Sequence, residues 1–320
     1  MRSPPRSGTL GAEARVARLE TLPALAERAP VAHGAIIEGD WWLAWSYDPG
    51  LLILAGLTVA CYLRGLRRWP VRTHPHPWWR TALFLAGMAT LVLAVESPID
   101  RLGEHHFTVH MVQHELLMMV AVPLILLGAP TTPMLRGLPR WLRAALVRPV
   151  ASNPLAHRIG RVLTHPAVGI SAISVVMWFW HLAPGWYERA LLDARIHELE
   201  HASFLVAGML FWWNVIDPHP LRSRIPHLAR IFYVFAGAVP KDALAATIVF
   251  SEGMLYPSYL TAAPIFPLTW QQDQALGGLI MWIGGDAVHV VAVIAIFLVW
   301  YRRMRLEDEA GDASPALQRP

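Results

Sequence analysis

Two chemically reactive residue types are all but missing from this sequence: it has one cysteine, Cys61, and one lysine, Lys241, in 320 residues. A single thiol excludes internal disulfides and every Cys-x-x-Cys metal or redox motif. Cys61 itself falls within an apolar run and reads as packing. There is no glycine-rich nucleotide fingerprint and no internal repeat. Acidic residues are few, 23 against 27 basic ones, for a formal net charge of +4. That sign is compatible with nucleic acid, but the arginines are spread between apolar runs rather than gathered on one patch. The expected partner is therefore a lipid bilayer and not nucleic acid.

Apolar sequence is abundant: 55% of the residues are hydrophobic, the mean hydropathy is +0.38, and there are 15 tryptophans. Crossing a bilayer takes about 20 residues. Runs of that order recur near 50–67, 79–96, 107–127, 166–182, 198–216, 228–250 and 275–300, the fourth being short. The expected fold is an all-α polytopic membrane protein, a bundle of about seven transmembrane helices. Arginines cluster after the first, third, fifth and seventh runs, at Arg64, Arg67, Arg68 and Arg72, at Arg136 to Arg161, at Arg222 and Arg224, and at Arg302, Arg303 and Arg305. The alternate loops hold only Arg101, then Arg189 and Arg195, then none in 251–270. The positive-inside rule then places the C-terminus in the cytoplasm and the N-terminus outside.

The transmembrane domain is expected over 48–303. Residues 1–47 form a tail, partly disordered or an interfacial helix, whose stretch AEARVARLETLPALAERA lacks an apolar core of signal-peptide length. WWLAWSYDP (41–49) resembles an aromatic belt at the membrane surface. Residues 304–320 read as a disordered cytoplasmic tail. In the loop 128–165, GLPRWLRAALVRPV suits equally a helix lying on anionic lipid and a solvated basic loop.

Histidine is where the chemistry concentrates. HHFTVHMVQHELLMM (105–119) opens the third run with His105, His106, His110 and His114. The topology brings His181 (in WFWHLAPGWY) and the pair His197 and His201 to the same, outer side. His106, His110 and His114 are i, i+4 neighbours on one helical stripe, spanning about 12 Å, too far for one ion to reach all three. Two adjacent ones can share an ion with the second pair, His197 and His201. Imidazoles suit Cu, Zn, Fe and Ni, and thioethers add a preference for Cu(I). Met111 lies about 100° round from His110 and reads as core before ligand. Glu104, Glu115, Glu198 and Glu200 are candidate outer acceptors for the imidazoles, Glu104 more simply an interfacial carboxylate. An isolated interfacial histidine, such as His105, reads as hydrogen-bonded. Paired ionisable groups within spans point to function, here metal binding.

A second polar group lies deeper. Pro240, Lys241 and Asp242 interrupt the sixth run, and Gly284, Gly285 and Asp286 with His289 interrupt the seventh. Adjacent helical residues do not face each other, so Lys241 and Asp242 are expected to seek partners on other helices, Asp286 or His289 among them. A structural ion pair and a proton or ion path are equally open.

The segments HMVQHELLMMVAVPLILLGAP (110–130), WFWHLAPGWYERALLDARIHELEHASFLVAGMLFWW (178–213), EGMLYPSYL (252–260) and DQALGGLIMWIGGD (273–286) resemble the caa(3)-type cytochrome c oxidase assembly factors of the CtaG kind. The resemblance covers roughly residues 100–300. It implies a seven-span, non-enzymatic protein of the bacterial cytoplasmic membrane that acts transiently on haem-copper oxidase subunits, with copper as the expected ion. The family's motif histidines map onto His110, His114, His181, His197 and His201, with His106, Glu198, Glu200 and Met111 as accessory candidates. An oxidase's CuA centre faces the same outer side. Two other functions fit the residues: a bis-His haem electron carrier, and a zinc-dependent membrane hydrolase in which HELEH (197–201) matches HExxH and Glu198 or Glu200 is the base. Structural packing of the histidines is the remaining alternative.

Overall fold

The computed structural model describes residues 40–69, 75–218, 223–262 and 265–313, and among these there is helix and loop but no strand. The expectations for the N-terminal amphipathic stretch, for Arg72 and Arg222, and for 314–320 lie outside the described residues. The apolar runs become α1 (Pro49–Arg67), α2 (Trp78–Glu96) and α3 (Phe107–Leu127). Next come α4 (Pro154–Leu163) and α5 (Pro166–Leu182), bent against each other by 61°. Then follow α6 (Ala194–Ile216), α7 (Ala229–Val249) and α8 (Trp270–Glu309), the last continuing as helix to Ala313. Six of these are long and apolar enough to cross a membrane, or seven if the bent pair is one span. The chain is an all-α polytopic membrane protein.

Local chemistry sets the helix ends. Asp48 accepts from the Leu51 amide and Pro49 takes the first helical position of α1, where its missing N–H costs nothing. Asp193 does the same for α6 through the Arg195 amide, and Thr269 with Gln272 forms a capping box at the start of α8. His165 caps α5 through the Ala167 amide, and Pro166 follows it, so α4 and α5 meet at a corner. Leu155, Ile159 and Val162 lie exposed along one face of α4, the pattern of a helix lying on lipid. This explains why the fourth run is short.

Three expectations change. Pro240 does not interrupt α7: the helix runs through it, and the Trp178 indole donates to the Pro240 carbonyl at 2.9 Å. Gly284 and Gly285 do not break α8 either, because the chain widens into a π-helical turn, Ile280–Gly284, and goes on. The terminal helix also outlasts its expected end at 303, since Arg302, Arg303, Arg305, Leu306 and Glu307 are all good helix formers.

α3 is the central element, with 67% of its apolar stretch buried, against 11% for α1. It packs on α2, α6 and α8, and its Phe107, Met111 and Met118 join Phe204, Phe211 and Trp212 in the main core. α1 is held chiefly at its far end, where Gly65 and Gly137 allow backbones to touch. A Cβ on Gly65 would overlap the Pro133 carbonyl, and one on Gly137 the Cys61 carbonyl. At its near end, Ser46 and Asp48 donate backbone N–H groups to Glu96, at 2.9 and 2.8 Å. Gly65→Val is therefore expected to lower the thermal midpoint in detergent by the equivalent of about 1–3 kcal/mol. Gly56→Val, whose Cβ would meet nothing within 4 Å, serves as the neutral comparison.

Candidate metal centre

Three helices bring five imidazoles to one place. α3 supplies His110 and His114 from successive turns, α6 supplies His197 and His201, and α5 ends on His181. Ring centroids lie 4.4 Å apart for His110–His114, 4.1 Å for His197–His201, 5.3 Å for His110–His197, 5.5 Å for His114–His201 and 5.8 Å for His114–His181. The Nε2 atoms of His110 and His114 are 2.9 Å apart. Three sets of side chains offer ligand atoms all within 4.8 Å of one another: His110, His114 and His201; His110, His197 and Glu200; Asp100, His197 and His201.

Glu200 decides what the cluster can do. Its side chain is fully buried, and its two oxygens lie 3.8 Å from His110 Nε2 and His114 Nε2 respectively. Neither oxygen has a hydrogen-bond partner among the described residues. A buried carboxylate with no donor is strongly disfavoured. A separation of 3.8 Å is too long for a hydrogen bond, yet it suits two ligands of one ion at about 2.0–2.2 Å each. The unpartnered Nε2 atoms of His197 and His201 fit the same reading. Glu200 is therefore a member of the cluster itself, closer in than the outer acceptor expected of it.

The other expected residues divide. His181 holds the Met177 carbonyl with Nδ1 at 2.8 Å, which leaves Nε2 beside the cluster, 3.4 Å from Met111 Sδ. Met111 is thus core and imidazole neighbour at once. His106 is not in the cluster. It precedes the first turn of α3 in an extended conformation, so the helical stripe never includes it. Its Nε2 instead accepts from the Ile265 and Phe266 amides at 3.0 and 3.1 Å, with Nδ1 3.8 Å from Asp273. Glu198 is exposed, turned away from Glu200 by its place on the helix. It lines a crevice together with His197 and His201.

Sequence reasoning missed Asp100 and Tyr259. Asp100 sits on the short helix Pro98–Gly103, started by the Ser97 cap, and accepts from Gln113 Nε2 at 2.7 Å and from the Ser46 hydroxyl at 3.3 Å. Burial pushes its carboxyl up to about 6, and burial with the nearby Asp100 charge pushes Glu104 to about 7. The topology alone put Asp100 on the histidine side, which was the available signal. Tyr259 lies 3.3 Å from His110 Nδ1 and 2.8 Å from the Tyr187 hydroxyl. With Tyr187, Tyr256 and Phe107, all buried, it roofs the imidazoles.

The deeper polar group is separate from the cluster. Lys241 Nζ donates to Asp242 Oδ1 at 2.6 Å and to the Met281 and Trp282 carbonyls at 3.1 and 3.2 Å, and lies 3.1 Å from Asp286 Oδ1. Asp286 is the expected partner on another helix. The pairing with Asp242 was not expected: the long lysine side chain bends back to its own neighbour, which Cβ directions alone do not forbid. Gly285 leaves room for it, since a Cβ there would lie 3.1 Å from the lysine's terminal atoms. His289 stands 3.8 Å from Asp286. Lys241→Met is expected to lower stability by about 3 kcal/mol, the modest end because both carboxylates are about a third exposed. Thermal unfolding in detergent measures this, with the metal content of the histidine cluster unchanged.

The family described as cytochrome c oxidase caa3 assembly factor matches residues 60–303, about three-quarters of the chain and every histidine of the cluster. Uncharacterized proteins of Mycobacterium bovis and Mycobacterium tuberculosis are each 29% identical over 291 residues, covering 85% of this chain and 42% of their own length. One from Mycobacterium leprae is 25% identical over 281 residues, covering 82% and 40%. The chain thus spans about two-fifths of the length of these curated relatives. No solved structure matches it. On the family match over most of its length, the chain belongs to the cytochrome c oxidase caa3 assembly factors.

Proposed function

We propose that this protein handles copper during maturation of a haem-copper cytochrome c oxidase, holding the ion between α3 and α6 and passing it on without catalysing a reaction. The observation that carries the reading is Glu200, fully buried, without a hydrogen bond and 3.8 Å from each of two imidazoles. His110, His114 and His201 supply nitrogen from two helices, Glu200 supplies charge, and His181 with Met111 stands beside them. Imidazole suits copper, and the neighbouring thioether favours its reduced form. Several competing donors around one position let ligands exchange one at a time, which transfer requires and a closed cage would prevent. By the arginine asymmetry the cluster faces outward from the bacterial cytoplasmic membrane, where oxidase components would meet it transiently.

The haem alternative requires imidazoles on either side of a flat ring, whereas these five converge on one point. The zinc-hydrolase alternative needs Glu198 or Glu200 as its base; Glu198 is exposed, and Glu200 is read here as a ligand. The test is metal analysis and visible spectroscopy of the detergent-purified protein beside a His110→Ala/His114→Ala/His201→Ala variant. Copper is expected in the wild type and lost in the variant, with lower oxidase activity in membranes carrying the variant. A Soret band would replace the reading with the haem carrier, and zinc with loss of a hydrolytic activity would replace it with the enzyme. No metal after copper loading would overturn the handling role.

A further inference from the structure

We propose that Asp100, His197 and His201 form a second metal position at the mouth of an intramembrane crevice, through which the ion reaches the sealed ligands His110, His114 and Glu200. The inference rests on the copper-handling reading and adds the route to it.

Access to the sealed ligands is restricted from the loop side. Phe107, Tyr187 and Tyr256 are each no more than 3% exposed, with ring centroids 4.5 Å apart for Phe107–Tyr256 and 4.2 Å for Tyr187–Tyr256. Tyr187 in turn lies 5.3 Å from the His110 ring. The open side is lateral. A crevice of about 750 Å³ runs between α1, α2, α3 and α6, and its lining includes Asp100, His197 and His201 but not His110, His114 or Glu200. Of the four histidines on α3 and α6 that make up the cluster, His201 alone is partly exposed.

The crevice is also charged in one sense. Asp48, Glu96, Asp100 and Glu198 line it, and no lysine or arginine does. In walls that are otherwise apolar, such a set raises the local concentration of cations. Asp100 is already oriented by Gln113 and Ser46, each occupying one lone pair of its carboxylate and leaving others free. The outer set and the inner set of His110, His114 and His201 share His201. An ion moving inward therefore exchanges Asp100 and His197 for His110 and His114 while keeping one imidazole throughout. No covalent bond of the chain and no oxidation state changes in the step.

The test is stopped-flow quenching of tryptophan fluorescence by Cu(II) in detergent, with EDTA to withdraw the ion. It compares wild type, Asp100→Asn, and Leu54→Trp, which fills the crevice wall without touching a ligand. If the position is a way station, both variants slow loading and withdrawal together, by about tenfold or more, with the dissociation constant moved by less than about threefold. Because Leu54 is exposed on α1, that variant keeps the question decidable if Asp100→Asn does not fold. Unchanged rates in both variants would overturn the inference and leave the copper role standing. So would an Asp100→Asn protein with weaker affinity and a normal loading rate, since Asp100 would then be an ordinary ligand of the resting site. A wild type that binds no copper would overturn both.

Discussion

An ionised carboxylate inside a bilayer-spanning bundle is costly unless it lies beside positive charge or hydrogen-bond donors, and the arrangement around Glu200 turns on that. The residue is on α6, fully buried, and its nearest polar neighbours are imidazoles on α3 at 3.8 Å. Neutral imidazoles at that distance do not satisfy it. The cation proposed above would, together with the Nε2 atoms of His197 and His201. α3 lies at the centre of the bundle, packed on α2, α6 and α8, and its face against α6 brings His110 and His114 to Glu200.

The two buried polar groups differ in one respect that separates their roles. Lys241 is matched by two carboxylates and two backbone carbonyls, all within 3.2 Å. The carbonyls are available because they belong to the π-helical turn of α8, where the regular pattern of backbone bonding is shifted. The ammonium group is thereby matched, and it fastens α7 to α8. At the histidine cluster both oxygens of Glu200 and the Nε2 atoms of His197 and His201 are unpartnered among the described residues.

The loose packing of α1 has a related consequence. Its near end is tied to Glu96 by backbone hydrogen bonds and its far end is pressed against Pro133 and Gly137. Between these ties Leu51, Leu54 and Ala55 face a crevice instead of a neighbouring helix. A close-packed α1 would bury the acidic mouth and close the approach to His201. Burial of only 11% of its apolar stretch is what keeps that side open.

Much of this was legible in one dimension. Apolar run length located the membrane helices within a residue or two for most of them, because a bilayer imposes a length that local chemistry cannot disguise. Loop arginines and the i, i+4 spacing brought His110, His114, His181, His197 and His201 to one side, and the structure places them in one cluster. His106 fails the same logic because a helical stripe presumes a helix, and the chain is extended at that residue. Asp100 and Tyr259 gave little signal, since each comes from a short segment whose direction is set by packing. The sequence alone determined the all-helical membrane architecture and which residues share an end of the bundle, both consequences of hydrophobicity and periodicity. Only tertiary structure decided that Glu200 enters the cluster, that Glu198 does not, and that Lys241 is satisfied, because these depend on which helix faces which at distances of a few ångströms.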